Sequence, residues 1–195
     1  MELLVKNNLF TSSSKVLNEK DEQVYKVKGN WGSNTFTKKY AKKIMTMDKK
    51  LLFKVCNKRI HNLLKRSAII YDANKKEIAR VSENGAFKCG YQIEGVTEKM
   101  EIVGVFLGEG ASIMLGGKKI GKIALGNYKS KTKSSTNGKI STYSVVATGI
   151  TDKFKLICND PEDAPFLVAV IIAIDNIRDA YKRQSAGHGT TFVGR

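Results

Sequence analysis

Nine consecutive apolar residues, Phe166 to Ile174 (FLVAVIIAI), set the tightest limit on what this chain can fold into. They sit in a segment that reads as a helix. Asp160, Glu162 and Asp163 lie at its start and Lys182 and Arg183 at its end, each sign complementing the helix macrodipole. Pro165 is tolerated only within a first turn, which places the cap nearer Asp163 than Asp160. A helix apolar on every face is either enclosed by protein or spans a membrane. Nine uninterrupted residues fall short of the roughly 20 that a bilayer requires, so enclosure is the expectation. The rest of the chain then has to supply a wall.

That wall is legible as a weak repeat: an apolar run, a turn rich in Asp, Asn, Gly and Lys, and a second apolar run. The copies are KVLNEKDEQVYKVKG from Lys15, KIMTMDKKLLFKVCN from Lys43, AIIYDANKKEIARVS from Ala68 and SIMLGGKKIGKIALG from Ser112. Each predicts a β-hairpin, because its turn residues (Lys20-Asp21, Asp48-Lys49-Lys50, Asp72-Ala73-Asn74-Lys75 and Gly116-Gly117) tolerate positive φ or bond back to their own backbone. Tyr25 and Val27 alternate with Lys26 and Lys28, and Gly121, Ile123 and Leu125 share a face from which Lys122 points away. One face of the sheet is therefore buried and the other wet. Leu3–Lys6, Ala86–Ile93, Glu101–Leu107, Thr142–Thr148 and Phe154–Cys158 are further strand candidates. A dozen short antiparallel strands close to remove their edges. About twelve leave room inside for a helix of roughly 10 Å diameter. The expected fold is mainly β: a closed antiparallel barrel of about twelve strands around one buried hydrophobic C-terminal helix.

The 195 residues, 42% of them hydrophobic, can build one core. A single domain is expected over 1–184, with a flexible tail over 185–195. Three cysteines in no CxxC arrangement exclude a disulfide framework and a thiol-rich metal site, and point to reducing cytosol. The opening MELLVKNNLF lacks the basic-then-apolar pattern of a signal peptide.

With these residues in view, the hairpins, the strand FKLICNDPEDA and above all FLVAVIIAIDNIRDA, with its Ile174-Asp175, resemble the LURP-one-related family. That family lies within the Tubby C-terminal-like superfamily, which also includes the phospholipid scramblases. The resemblance covers roughly residues 3–183. It implies a twelve-stranded barrel around a hydrophobic C-terminal helix. It implies less about function: Tubby domains bind phosphoinositides and scramblases move lipids, and fold alone does not choose between them.

Candidate chemistry is sparse. Two histidines, His61 and His188, must serve any triad or histidine-based zinc site. His188 falls in the tail, and a lone His61 reads as structural or solvated. Gly116–Lys122 satisfies GxxxxGK, but Ile123 stands where a hydroxyl would hold magnesium and the segment continues as a strand, so it reads as a turn. Cys56, Cys89 and Cys158 read as small hydrophobes within strands. Asp175 directly follows the apolar run and, if buried, needs a donor or a cation; Arg178 three residues on is the expected partner. No catalytic residue, metal or cofactor is expected, and the chain is read as a non-enzyme.

Charge carries the functional signal. The chain holds 34 Lys+Arg against 18 Asp+Glu, a net charge of +16. The excess belongs to the barrel wall, and between Lys38 and Arg66 the one acidic residue is Asp48. Lys38, Lys39, Lys42, Lys43, Lys49, Lys50, Lys54, Lys58 and Arg59 are the candidate ligands of an anionic lipid or membrane surface. Nucleic acid ranks behind, because the segment offers few aromatics on which bases could stack. The reading is a monomeric, cytoplasmic binding module that visits a membrane peripherally. The alternatives are a scramblase-like protein whose helix enters the bilayer and a nucleic-acid-binding protein.

Overall fold

The computed structural model describes residues 1–7, 13–29, 41–58, 67–83, 90–96, 98–104, 110–125 and 153–187, and at 7, 58, 125 and 179–187 the backbone alone. The strands are β1 (Glu2–Asn7), β2 (Ser14–Leu17), β3 (Gln23–Gly29), β4 (Ala41–Thr46), β5 (Leu51–Lys58), β6 (Ser67–Asp72), β7 (Glu77–Glu83), β8 (Gly90–Glu94), β9 (Met100–Val103), β10 (Ala111–Leu115), β11 (Lys118–Leu125) and β12 (Lys153–Cys158). A 3-10 turn, Pro161–Asp163, leads into α1 (Ala164–Gly187). The predicted strand Thr142–Thr148 lies outside the described residues, as do the first part of Ala86–Ile93 and the last of Glu101–Leu107.

Strands consecutive in the chain pair antiparallel, and β1 also pairs with β12, which closes the sheet into the expected barrel. The closure continues past the last ladder residue, where the Met1 and Cys158 backbones exchange hydrogen bonds of 3.0 and 2.9 Å. No described strand is left as an edge, which is the physical gain of closing so long a meander.

The repeat has a structural basis in its turns. Three of them are built alike: the backbone N–H of Asn18, Thr46 and Asp72 donates to the carbonyl of Glu22, Lys50 and Lys76 respectively, at 2.9–3.0 Å. The same first residue then caps the turn from its side chain. Asn18 Oδ1 accepts from Lys20 N and Glu22 N, Thr46 Oγ1 from Lys50 N, and Asp72 Oδ1 from Lys76 N. The fourth residue of each, Asp21, Lys49 or Lys75, takes positive φ (59°, 67° and 67°). The β10–β11 hairpin instead uses Gly116-Gly117, both at positive φ, as a two-residue turn of the primed class demands.

Alternation places Leu3 and Val5, Val27, Ile44, Val55, Ile70, Val81, Ile102, Ile113, Ile123 and Phe154 and Leu156 inside, all fully buried. Against them packs α1, whose Leu167 to Ile174 have no exposed surface. Phe166, at the first turn, meets the inward Phe53 of β5 edge-on, with centroids 6.2 Å apart. The helix begins immediately after Asp163, as Pro165 requires, and Asp160 caps the short preceding turn by accepting from Glu162 N. The predicted boundary at 184 falls inside α1, which runs to Gly187; residues 188–195 lie outside the described set. Among the described residues no helix is long and apolar enough to cross a membrane.

Odd strands run one way and even strands the other. The β2–β3, β4–β5, β6–β7, β8–β9 and β10–β11 turns thus share one rim with the start of α1, and the helix rises toward the opposite end. Asp175, eleven residues along α1, stands about 16 Å up at 1.5 Å per residue. Lys42, four residues from the Thr46 turn, stands about 14 Å up its strand. The buried polar residues among those described (Ser14, Lys42, Ser67, Ser82, Asp175 and Asn176) all lie toward that far end.

Candidate functional site

The structure divides the candidate cations into three places. Lys42 is the correction: it was expected on the wall and is inside the barrel, 4% exposed, with Nζ 2.8 Å from Oδ2 of Asp175, itself 2% exposed. The reason is register. Lys42 shares its face with Ile44 and stands opposite Val55, both fully buried. The cation that Asp175 needs is thus supplied across the barrel by Lys42, while the Arg178 guanidinium lies 5.6 Å from the centroid of Phe154. Asn176, buried beside the pair, has no hydrogen-bond partner among the described residues for either amide atom.

Lys43 and Lys54 are on the outer wall, directly opposite each other on β4 and β5. Lys49 and Lys50 are exposed at the turn rim. Lys58 ends β5, where the backbone alone is described, and Lys38, Lys39 and Arg59 lie outside the described residues.

Register exposes a feature that the sequence reading did not assemble. Across β12, β1, β2 and β3, Lys153, Lys6, Lys15 and Lys26 stand side by side. Across β3, β4 and β5, Lys28, Lys43 and Lys54 do the same. All seven occupy outward positions, since their strand neighbours Val5, Val16, Val27, Ile44, Val55 and Phe154 face the core. Strands about 4.8 Å apart make the first row about 14 Å long, and the two rows meet on β3, where Lys26 and Lys28 are about 7 Å apart. Directly opposed like charges on adjacent strands destabilise a sheet. Lys6 has a carboxylate near it, Asp21 at 3.5 Å, but no described carboxylate pairs with Lys15, Lys26, Lys28, Lys43 or Lys54. The signal in the sequence was the alternation of lysines with Val and Tyr; the lateral alignment needs the pairing register.

The two described thiols, Cys56 and Cys158, are both shifted away from the thiolate form. Burial pushes the Cys56 thiol up from its ordinary 9.0, with Lys54 pulling the other way. Cys158 is also pushed up, first by burial, and its thiol donates to the Asp160 carbonyl. A nucleophilic cysteine needs the opposite shift. Cys89, His61 and His188 lie outside the described residues. Gly116–Lys122 is a hairpin turn running into β11, as its strand continuation predicted. Among the described residues no three His, Cys, Asp or Glu gather as a metal site.

The profile of the LURP-one-related proteins matches residues 1–175, ending on the buried Asp175. No curated protein and no solved structure matches.

Proposed function

The chain belongs to the LURP-one-related family, and from that premise we propose that it is a non-enzymatic binding module whose basic outer wall engages an anionic membrane surface, phosphoinositide included. The observation that carries the reading is the pair of lysine rows meeting on β3. Seven outward ammonium groups, five of them with no paired carboxylate among the described residues, form an array whose mutual repulsion is relieved by a polyanionic partner. Each lysine near an anionic bilayer contributes about 1 kcal/mol at physiological salt, and the attraction decays within a Debye length. The encounter is therefore peripheral, reversible and salt-sensitive, suited to a monomer at the cytoplasmic face.

Two features weigh against the alternatives. The scramblase-like reading requires α1 to leave a barrel that buries it from Leu167 to Ile177, and to abandon the Lys42–Asp175 pair. A nucleic-acid reading lacks a described aromatic platform along the rows, where stacking would supply affinity.

The test is flotation with phosphatidylcholine vesicles, alone or carrying phosphatidylserine or phosphatidylinositol 4,5-bisphosphate, beside a nucleic-acid gel shift. The wild type should float with anionic vesicles at low salt and be released as salt rises. The triple reversal Lys28→Glu, Lys43→Glu, Lys54→Glu should stay behind while keeping its far-UV circular dichroism. Equal flotation of that variant, or a wild type that ignores anionic vesicles while shifting nucleic acid, refutes the reading.

A further inference from the structure

The three equivalent turns on the rim provide an internal control. Their second positions are Glu19, Met47 and Ala73, all exposed, so the turn itself places no apolar demand there. Met47 is nonetheless a large hydrophobic side chain left 47% exposed at a hairpin tip. The other exposed large hydrophobics among the described residues are Met1, Val103 and Ile157, which are not at such tips. The three tips also differ in charge. The first reads Glu19-Lys20-Asp21-Glu22; the second, Met47-Asp48-Lys49-Lys50, and the third, Ala73-Asn74-Lys75-Lys76, both end on a lysine pair, and of the two it is the second that sets a large apolar side chain beside it. The same hairpin carries Lys43 and Lys54 of the wall row, and half-buried Met45, Leu51 and Leu52 behind the tip.

We propose that the β4–β5 hairpin is a membrane-penetrating element, with Met47 entering the headgroup–acyl boundary of an anionic bilayer while Lys49, Lys50, Lys43 and Lys54 bind lipid phosphates above it. This rests on the membrane reading of the basic wall and adds the part that distinguishes a bilayer from a soluble polyanion. The dimensions agree. Lys43 is three residues from the Thr46 turn, about 10 Å along the strand, and interfacial elements bury their apolar side to about 5–10 Å. A barrel tilted onto this hairpin brings the wall lysines down to the phosphates as the tip enters.

The experiment measures partitioning onto phosphatidylcholine vesicles with and without roughly 30% phosphatidylserine, beside retention on heparin, a polyanion with no acyl interior. Met47→Gln should lower vesicle partitioning by roughly tenfold with heparin retention unchanged, and Met47→Leu should restore it. Met47→Trp in a Trp31→Phe background should shift its emission to the blue on vesicles and be quenched by brominated acyl chains. Unchanged partitioning of Met47→Gln, an equal loss on heparin, or a tryptophan at 47 that brominated chains do not quench overturns the insertion. In each of those cases a wild type that still floats leaves the charge-driven reading standing. A wild type that binds neither vesicle overturns both.

Discussion

Replacing Asp175 with leucine removes the carboxylate that neutralises a lysine almost wholly out of water. At 2.8 Å the Lys42–Asp175 attraction is about 6 kcal/mol at an effective dielectric of 20, set against a desolvation cost of several kcal/mol per ion. The intact pair therefore contributes little net stability, but its halves are not separable. Asp175→Leu leaves an ammonium group in the barrel interior, 4% exposed, and breaking a buried pair this way costs about 3–5 kcal/mol. With a urea slope of about 2 kcal/mol/M, the midpoint should fall by about 2 M. The double variant Lys42→Met, Asp175→Leu replaces both charges with apolar groups and should recover the wild-type midpoint or exceed it. Urea titration followed by far-UV circular dichroism reads all three proteins. A fall of less than about 0.5 M for Asp175→Leu, or a double variant as weak as the single one, would refute the claim that the pair is buried and mutually dependent.

The thiols and phenols provide a prediction about pH. Burial is the first cause that raises Cys56 and Cys158 above 9.0, and Tyr25 and Tyr71 above 10.0. Each neutral form is thus held more tightly in the folded state. These groups add stability that is present below their ordinary values and lost as pH rises from there through the folded values, because the unfolded chain releases its protons first. The urea midpoint should fall between about pH 8 and about pH 10.5, and a flat or rising midpoint contradicts the shifts. Iodoacetamide should modify native Cys158 far more slowly than the urea-unfolded protein at about pH 8, as read by mass spectrometry; equal rates refute its burial. In the flotation assay, the wall rows predict that each added reversal among Lys28, Lys43 and Lys54 shallows the salt dependence stepwise, and a single abrupt loss would point to unfolding instead.

Most of the architecture was legible because it follows from two periodicities. Alternation in hairpins such as KVLNEKDEQVYKVKG gives a one-sided wall, and an all-round apolar helix gives the object it encloses. What the sequence hid was lateral. Lys6, Lys15 and Lys26 are spread over twenty residues of chain and become neighbours only through strand register, which no local spacing encodes. The Lys42–Asp175 pair was hidden in the same way, its partners 133 residues apart. Half of it was nevertheless visible from each side. Asp175 follows an apolar run and needs a cation, and Lys42 falls on the inward phase of a strand with Ile44. Lysine is rarely buried, which from sequence alone argues for an outward Lys42, and Arg178, three residues from Asp175, is the partner that local spacing offers.

This difference can be tested at a single residue. If Lys42 were a wall lysine, Lys42→Glu would reduce vesicle binding and leave the fold alone, as surface substitutions stay within about 0.5 kcal/mol. Inside the barrel it sets two carboxylates against each other at a position that is 4% exposed. The expected cost then exceeds the 3–5 kcal/mol or so of a broken pair, a large part of a domain's whole stability of about 5–15 kcal/mol. Lys42→Glu should therefore appear as insoluble or unfolded protein, whereas Lys43→Glu, its outward neighbour, should melt close to wild type. The exchange Lys42→Glu with Asp175→Lys should regain part of the lost stability, because the opposite charges again face each other. Thermal melts followed by circular dichroism compare the variants. A Lys42→Glu protein that melts with the wild type and only loses vesicle binding would move Lys42 back to the surface.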